Sequence, residues 1–460
     1  MLALLLALTL PARAGELHAG GEIGTHLRVG LRDCGGDPSG CPVLDYGDLA
    51  TVTGRIRAEV GPRAEARASL TARLHSGVPA AQLEDTAETS MVLHQSLRLR
   101  EAVVDLREVG RPDLDVILGV QTLRWGTADG LHVVDRLNPW DLEDPLRLDA
   151  RLPVPALQAL LHRGGLSLQA VWIPVSWPAV LPRQGVGLVP EAGDLLDPAG
   201  MGAEFEDLSL RIAEARVTPP PRTLAGMGGG LRLAWAGPSV DAALVASAGR
   251  DSLPQLDGEL LLTGFQTSAS RVDVTLPLRY PMVQALGAEA RGELGWEIGV
   301  WGELAVVFPE ATEGTASPAQ LEALARLGTI DQVPDPLPTL ITQDGAPYPN
   351  WIAGAERSFG RVYLNLQWLH GFPTERQRED LRDYASLATR ISLGDTAQLT
   401  VRLLGDLGAQ GGIASADLDL LHGDAAEVQL GAAWVEAREG AGLAPFEGMS
   451  QVHGGVKLVF

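Results

Sequence analysis

The residues able to do chemistry fall into two charged rows. Arg55 and Arg57 alternate with Gly54, Ile56 and Ala58, and Arg63, Arg67 and Arg73 alternate with Ala64, Ala66, Ala68, Leu70, Ala72 and Leu74. Arg98 continues the basic row in the next alternating stretch, with Arg100 beyond a slip of phase that suggests a bulge at Arg100 or Glu101. Far along the chain, Glu289, Glu293, Glu297 and Glu303 share one parity, opposite Leu294, Ile298 and Leu304. Guanidinium rows attract and orient anions, carboxylate rows do so for cations, and two such rows on different walls of a wet enclosure set a field across it. This is the chemistry of selection, not of bond making. For hydrolysis the sequence offers only His94 and Ser96, two positions apart on the polar face, and no Gly-x-Ser-x-Gly elbow.

For these charges to share a face, the backbone must be extended. Alternation with period two runs through residues 53–60, 63–75, 113–125, 164–174, 224–235, 287–308, 360–369 and 425–435. A helix would spread the same charges around its whole circumference. A soluble β-sandwich alternates too, but its buried face needs bulky residues where this chain often has Ala and Gly. If the small and apolar face meets lipid, the charged face meets a watery interior. An Arg facing lipid at mid-bilayer would cost about 2–4 kcal/mol, so five on one wall would exceed the usual net stability of a domain. The sequence therefore predicts an all-β fold, a transmembrane antiparallel β-barrel formed by residues 15–460 as one domain. Short turns alternate with longer polar segments, the pattern of short periplasmic turns and long extracellular loops. The strand tally is about 18, within a range of roughly 16–18, provided that residues 251–281 form an extracellular excursion. Segments 126–153 and 309–349 are long enough to fold inward and narrow the lumen, and 318–327 reads as a short helix. Trp125, Trp172, Trp351, Trp368 and Trp434 are expected at outer strand ends, with Trp235 and Trp296 at inner ends, as in interfacial belts.

The two ends of the sequence agree with this reading. "MLALLLALTLPARAG" joins a short apolar run to Ala12-Arg13-Ala14, the pattern of a signal peptide over residues 1–14. "VHGGVKLVF" ends in a strand whose lipid-facing row is Val456, Leu458 and Phe460, with Lys457 turned to the lumen. A closing strand with a terminal aromatic, here Phe460, resembles the assembly signal that the barrel-assembly machinery recognises. Cys34 and Cys41 flank a Gly- and Pro-containing turn, and in an exported chain they are expected to form a local disulfide. A formal charge of −22 argues against nucleic acid as a partner. No metal-ligand spacing stands out, and no cofactor is expected.

The stretch "LGVQTLRWGTADGLHVVDRLNPWDLEDPLRLDARLPVPALQ" (118–158), with Gln121, Trp125, Gly126, Asn138, Pro139 and Asp141, resembles a group of Gram-negative outer-membrane barrels related to alginate-export-type porins. "FGRVYLNLQWLHGFPTER" (359–376) is similar to a strand near the C-terminus of that group. The resemblance implies a channel or transport role in the cell outer membrane, without catalytic residues and without a defined substrate. The expected function is passage of small hydrophilic solutes through a charged lumen. The alternatives are a plugged, structural or adhesive barrel acting through its loops, and an outer-membrane hydrolase. N-terminal sequencing of outer-membrane material is expected to start at or near Gly15; full-length chain recovered from the cytoplasm would contradict export.

Overall fold

The computed structural model describes residues 16–30, 46–76, 93–144, 146–180, 209–266, 271–326, 339–408, 411–423, 425–437, 442–443, 446 and 449–460. Residues 1–14 and the Cys34–Cys41 pair lie outside the described residues, as do the side chains of His94 and Ser96. In chain order the first strands are β1 (Leu17–Gly30), β2 (Tyr46–Gly61), β3 (Ala64–Ser76), β4 (Leu93–Leu106), β5 (Leu114–Gln121), β6 (Val154–Arg163), β7 (Leu166–Ile173) and β8 (Ser209–Thr218). Next come β9 (Gly228–Ala236), β10 (Val240–Arg250), β11 (Gln255–Leu256), β12 (Gly258–Gln266), β13 (Arg271–Arg279), β14 (Met282–Leu294), β15 (Ile298–Pro309) and β16 (Thr312–Ala316). A helix, α1 (Pro318–Arg326), precedes β17 (Thr339–Gln343), β18 (Tyr348–Phe359), β19 (Val362–His370) and β20 (Asp383–Ser392). The last strands are β21 (Ala397–Asp406), β22 (Gly412–His422), β23 (Ala426–Glu436) and β24 (Gln451–Val459).

Eighteen of these strands form one sheet. Successive barrel strands pair antiparallel, and β1 pairs antiparallel with β24 to close the ring. Closure removes both sheet edges, which is what allows a sheet to stand in lipid with every ladder group satisfied. The remaining strands, β8, β11, β12, β13, β16 and β17, build a second, six-stranded sheet. Residues 251–281 therefore leave the barrel, as the strand tally requires. In its described part, segment 309–349 supplies β16 and β17 to this small sheet. β16 pairs parallel with β12 and antiparallel with β17, so its backbone groups find partners in the small sheet.

The outer face carries exposed Ile56, Leu70, Leu244, Leu304, Leu366 and Leu430. Each such side chain forgoes about 1.5–3 kcal/mol when left in water, so a belt of them is stable against hydrocarbon and not against solvent. Trp172, Trp235, Trp296, Trp368 and Trp434 are exposed on the outside, whereas Trp125 is buried inside the barrel. It belongs to the connection after β5 and not to a strand end. On β4 the register passes from Ser69↔Glu101 to Leu70↔Leu99, which leaves Arg100 as the extra residue of a bulge. Strict alternation could not direct Arg98, Arg100 and Glu101 to one side; the bulge does so.

Phe460 closes the seam. Its backbone exchanges hydrogen bonds with Gly21 at 2.8 and 3.0 Å, and its ring lies against Gly21, so a Cβ there would meet Phe460 Cζ at 2.9 Å. Replacing Phe460 with Asp is expected to lower the yield of heat-modifiable barrel in outer membranes; a wild-type yield would show that the terminal ring is dispensable for assembly.

Candidate functional site

The connection between β5 and β6, residues 122–153, turns into the barrel and crosses it. Its departure is fixed by a ladder of amides on the inner face. Gln121 Nε2 donates to the Ala156 carbonyl at 3.0 Å, Gln158 Nε2 donates to Gln121 Oε1 at 2.6 Å, and Gln169 Nε2 donates to Gln158. Trp125 Nε1 caps the ladder by donating to Gln169 Oε1 at 2.9 Å. Asn138 then staples the two legs of the connection. Its Oδ1 accepts from the Leu123 N–H at 2.8 Å, and its Nδ2 donates to the Leu152 carbonyl at 2.6 Å.

On the far wall, Glu303 of β15 holds the crossing segment. Its Oε1 accepts from the N–H groups of Thr127 at 2.7 Å and Ala128 at 2.8 Å, and its Oε2 from Val133 at 2.9 Å. His132 Nδ1 lies 2.9 Å from Oε1, and the Glu303 side chain has no exposed surface. A buried carboxylate is tolerable only with such a set of donors. Gly126 makes the approach feasible. It has a φ of 108°, and a Cβ there would collide with Glu303 and His132. From β19, Asn365 Nδ2 donates to Asp129 Oδ2 at 3.0 Å and Gln367 Nε2 to the Asp129 carbonyl at 2.6 Å. Leu123, Trp125, Val133, Val134, Leu137 and Leu142 pack with inward residues of the walls, among them Val171, Val245, Ile352 and Leu369, into an apolar core on this side of the lumen.

The returning leg runs past the opposite wall and carries the acids that face the basic row. Arg28 Nη2 donates to Asp144 Oδ2 at 2.6 Å. Arg73 holds Glu143 with two bonds of 3.0 and 2.8 Å. Arg98 reaches Asp141 at 3.3 Å and Glu143 at 3.1 Å. Burial pushes the Glu143 carboxyl up, but the hydrogen bonds and charge of Arg73, with the charges of Arg98 and Arg28, outweigh it and bring it down to about 2. Between this leg and β1–β4 lies a cavity of about 420 Å³, lined among others by Arg55, Thr53, Thr71, Arg100 and Arg147. The narrowed lumen is thus eccentric: one side is filled by the apolar core, and the polar gap hugs β1–β4.

The residues singled out in the sequence separate into three groups. Arg55, Arg73 and Arg98 line the gap. Arg57, Arg63 and Arg67 sit nearer the rim that bears the short turns. Arg57 and Arg67 gather on Glu65 at 2.9 and 3.7 Å, and Arg63 pairs with Glu108 at 2.6 Å. The acidic row is divided among other tasks. Glu303 is the loop anchor, Glu289 is paired with Arg232, Glu293 is exposed near the rim, and Glu297 adopts a φ of 58° in the turn between β14 and β15. The acids opposing the basic wall come from the inserted leg and not from β14 and β15. Arg28, Glu143, Asp144 and Arg147 escaped the sequence reading. For Glu143, Asp144 and Arg147, period-two logic says nothing about side chains in an irregular connection, and the only signal was the charge density of "DLEDPLR"; Arg28 lies on a regular strand, β1, outside the alternating stretches that were read.

Neither a family model nor a curated protein matches the chain. Solved structures similar to it include a triple mutant of Rhodopseudomonas blastica porin, at 9% identity over 97% of this chain and 100% of that one, with a TM-score of 0.38. Acinetobacter baumannii OccAB1 is similar at 9% identity over 96% of each chain, with a TM-score of 0.49. The expected relation to alginate-export-type barrels is not established by these matches.

Replacing Glu303 with Ala would strand several buried donors, at about 1–3 kcal/mol each. The variant is expected to keep the barrel's heat-modifiable mobility while residues 127–134 become open to limited proteolysis. A protease-resistant loop in that variant would show that Glu303 is not its anchor.

Proposed function

We propose that this protein is an outer-membrane channel that passes small hydrophilic solutes through the gap beside β1–β4 and favours anions. The observation that carries this reading is the charge balance of the gap. Six arginines line it, Arg28, Arg55, Arg73, Arg98, Arg100 and Arg147, against the four carboxylates of Glu22, Asp141, Glu143 and Asp144. Arg28, Arg55, Arg73 and Arg98 are each paired with one of those acids. Arg100 and Arg147 have no carboxylate within 4.0 Å among the described residues, so a passing anion meets two guanidiniums with donors to spare. Walls of both signs also orient polar solutes and penalise apolar ones. The apolar outer belt and closed ring support residence in lipid.

A second reading, a structural or adhesive barrel, draws on the six-stranded sheet separate from the ring and on the apolar filling of one side of the lumen. Conductance separates the two. In planar bilayers the wild-type channel is expected to prefer anions. Replacing Arg100 and Arg147 together with Glu turns a surplus of two positive charges in the gap into an equal negative one. The reversal potential should then change sign in favour of cations. A well-assembled variant with unchanged selectivity would remove the gap from the conducting path, and a silent wild-type barrel would favour the adhesive reading.

A further inference from the structure

β1 and β24 meet at the seam that closes the ring, and each turns a histidine inward. The rings of His26 and His453 stand 5.3 Å apart, centroid to centroid. His453 Nε2 lies 2.7 Å from Asp417 Oδ1, with 2% and 5% of the two side chains exposed. The second oxygen of Asp417 accepts from Arg402 Nη1 at 2.8 Å. Gly431 leaves room for this pair, since a side chain there would overlap both partners. On the other ring, Arg28 Nε donates to His26 Nδ1 at 3.2 Å, while Nη2 of the same guanidinium holds Asp144 of the inserted leg. A nitrogen that accepts from an N–H carries a lone pair, so this arrangement belongs to neutral His26.

We propose that His26 is a proton-sensitive positioning residue for the constriction. Its neutral ring fixes Arg28 Nε and so aims the guanidinium at Asp144. A proton added at Nδ1 sets N–H against N–H and places a cation beside the guanidinium. Arg28 turns away, and Asp144 loses its clasp. Among the described residues, the following charged and titratable groups stand around His26. Arg28 lies on its own strand, and the backbone of β2 places Asp48 in register with His26. His453 faces it from β24, backed by Asp417 of β22 and Arg402 of β21, and Asp144 stands behind Arg28. Asp417 holds His453 in place, so a charged His26 has a fixed neighbour across the seam. Histidine is the side chain that ordinarily changes charge between pH 5 and 8, an interval over which Glu143 stays ionised.

The inference rests on the conducting reading for its consequence, and the test has two readouts. In single-channel recordings, lowering the pH from 7.5 to 5.5 should raise the frequency of closures about threefold or more. His26→Gln keeps an acceptor for Arg28 but cannot take the proton, so it should lose most of that response. Asp144→Asn should close often already at pH 7.5. His132→Gln, which alters the histidine contact of the inserted loop with Glu303, should keep the acid response. Identical pH profiles for His26→Gln and the wild type would overturn the proposal. Hydrogen exchange of the amides of residues 141–147 reads the clasp without current. Corrected for intrinsic rates, protection in the wild type should fall at pH 5.5 and persist in His26→Gln. A silent channel with that exchange difference would sink only the conducting reading. Equal protection in the two proteins would sink the positioning role of His26.

Discussion

The interior of this barrel depends on one buried carboxylate receiving backbone N–H groups. Glu303 has no exposed surface and takes donors from Thr127, Ala128 and Val133, beside His132. Burying an ion costs several kcal/mol unless every lone pair is engaged, so the arrangement is close to all or none. With the loop pinned there, its apolar residues must pack against β7, β10, β18 and β19, and its acidic leg must return along β1–β4. The eccentric gap follows from that anchoring, not from the shape of the ring.

A polar lumen is the simplest expectation for an alternating barrel, yet here part of the inner wall is apolar. Val171 and Ile173 flank Trp172 on β7, and Val171 and Ile173 are buried inside while Trp172 is exposed outside. Such stretches are apolar on both faces. Their inner face is covered by Trp125, Val133, Val134 and Leu142 of the inserted connection. This packing replaces water on one side of the lumen and stiffens the loop that forms one lip of the gap.

Much of the architecture was legible in the sequence because a barrel strand obeys a local rule. Exposed Ile56 and Leu70 opposite Arg55, Arg57, Arg67 and Arg73 could be placed by parity alone, as could the bulge at Arg100. The motif residues Gln121, Trp125, Gly126, Asn138 and Asp141 were visible as a pattern, but their task was not. Each turns out to build or anchor the inserted loop. Pairing across long separations was beyond local rules. Arg28 with Asp144 and Arg73 with Glu143 join residues 116 and 70 positions apart. Glu303 looked like any other member of an alternating acidic row, because parity identifies a face and not what covers it.

The gap is bounded on one side by four strands and on the other by one short leg of a single connection. The strands are bound by register: a one-residue slip would turn lumen side chains toward lipid. The leg carries no such obligation, since Asn138 ties its base to Leu123 and Leu152, and the crossing segment that precedes it is pinned by Glu303. Substitutions between residues 139 and 150 can therefore change the aperture's charge and width while the ring assembles as before. Evolution, or an engineer, can retune the charge and width of this gap one residue at a time, with the scaffold left untouched.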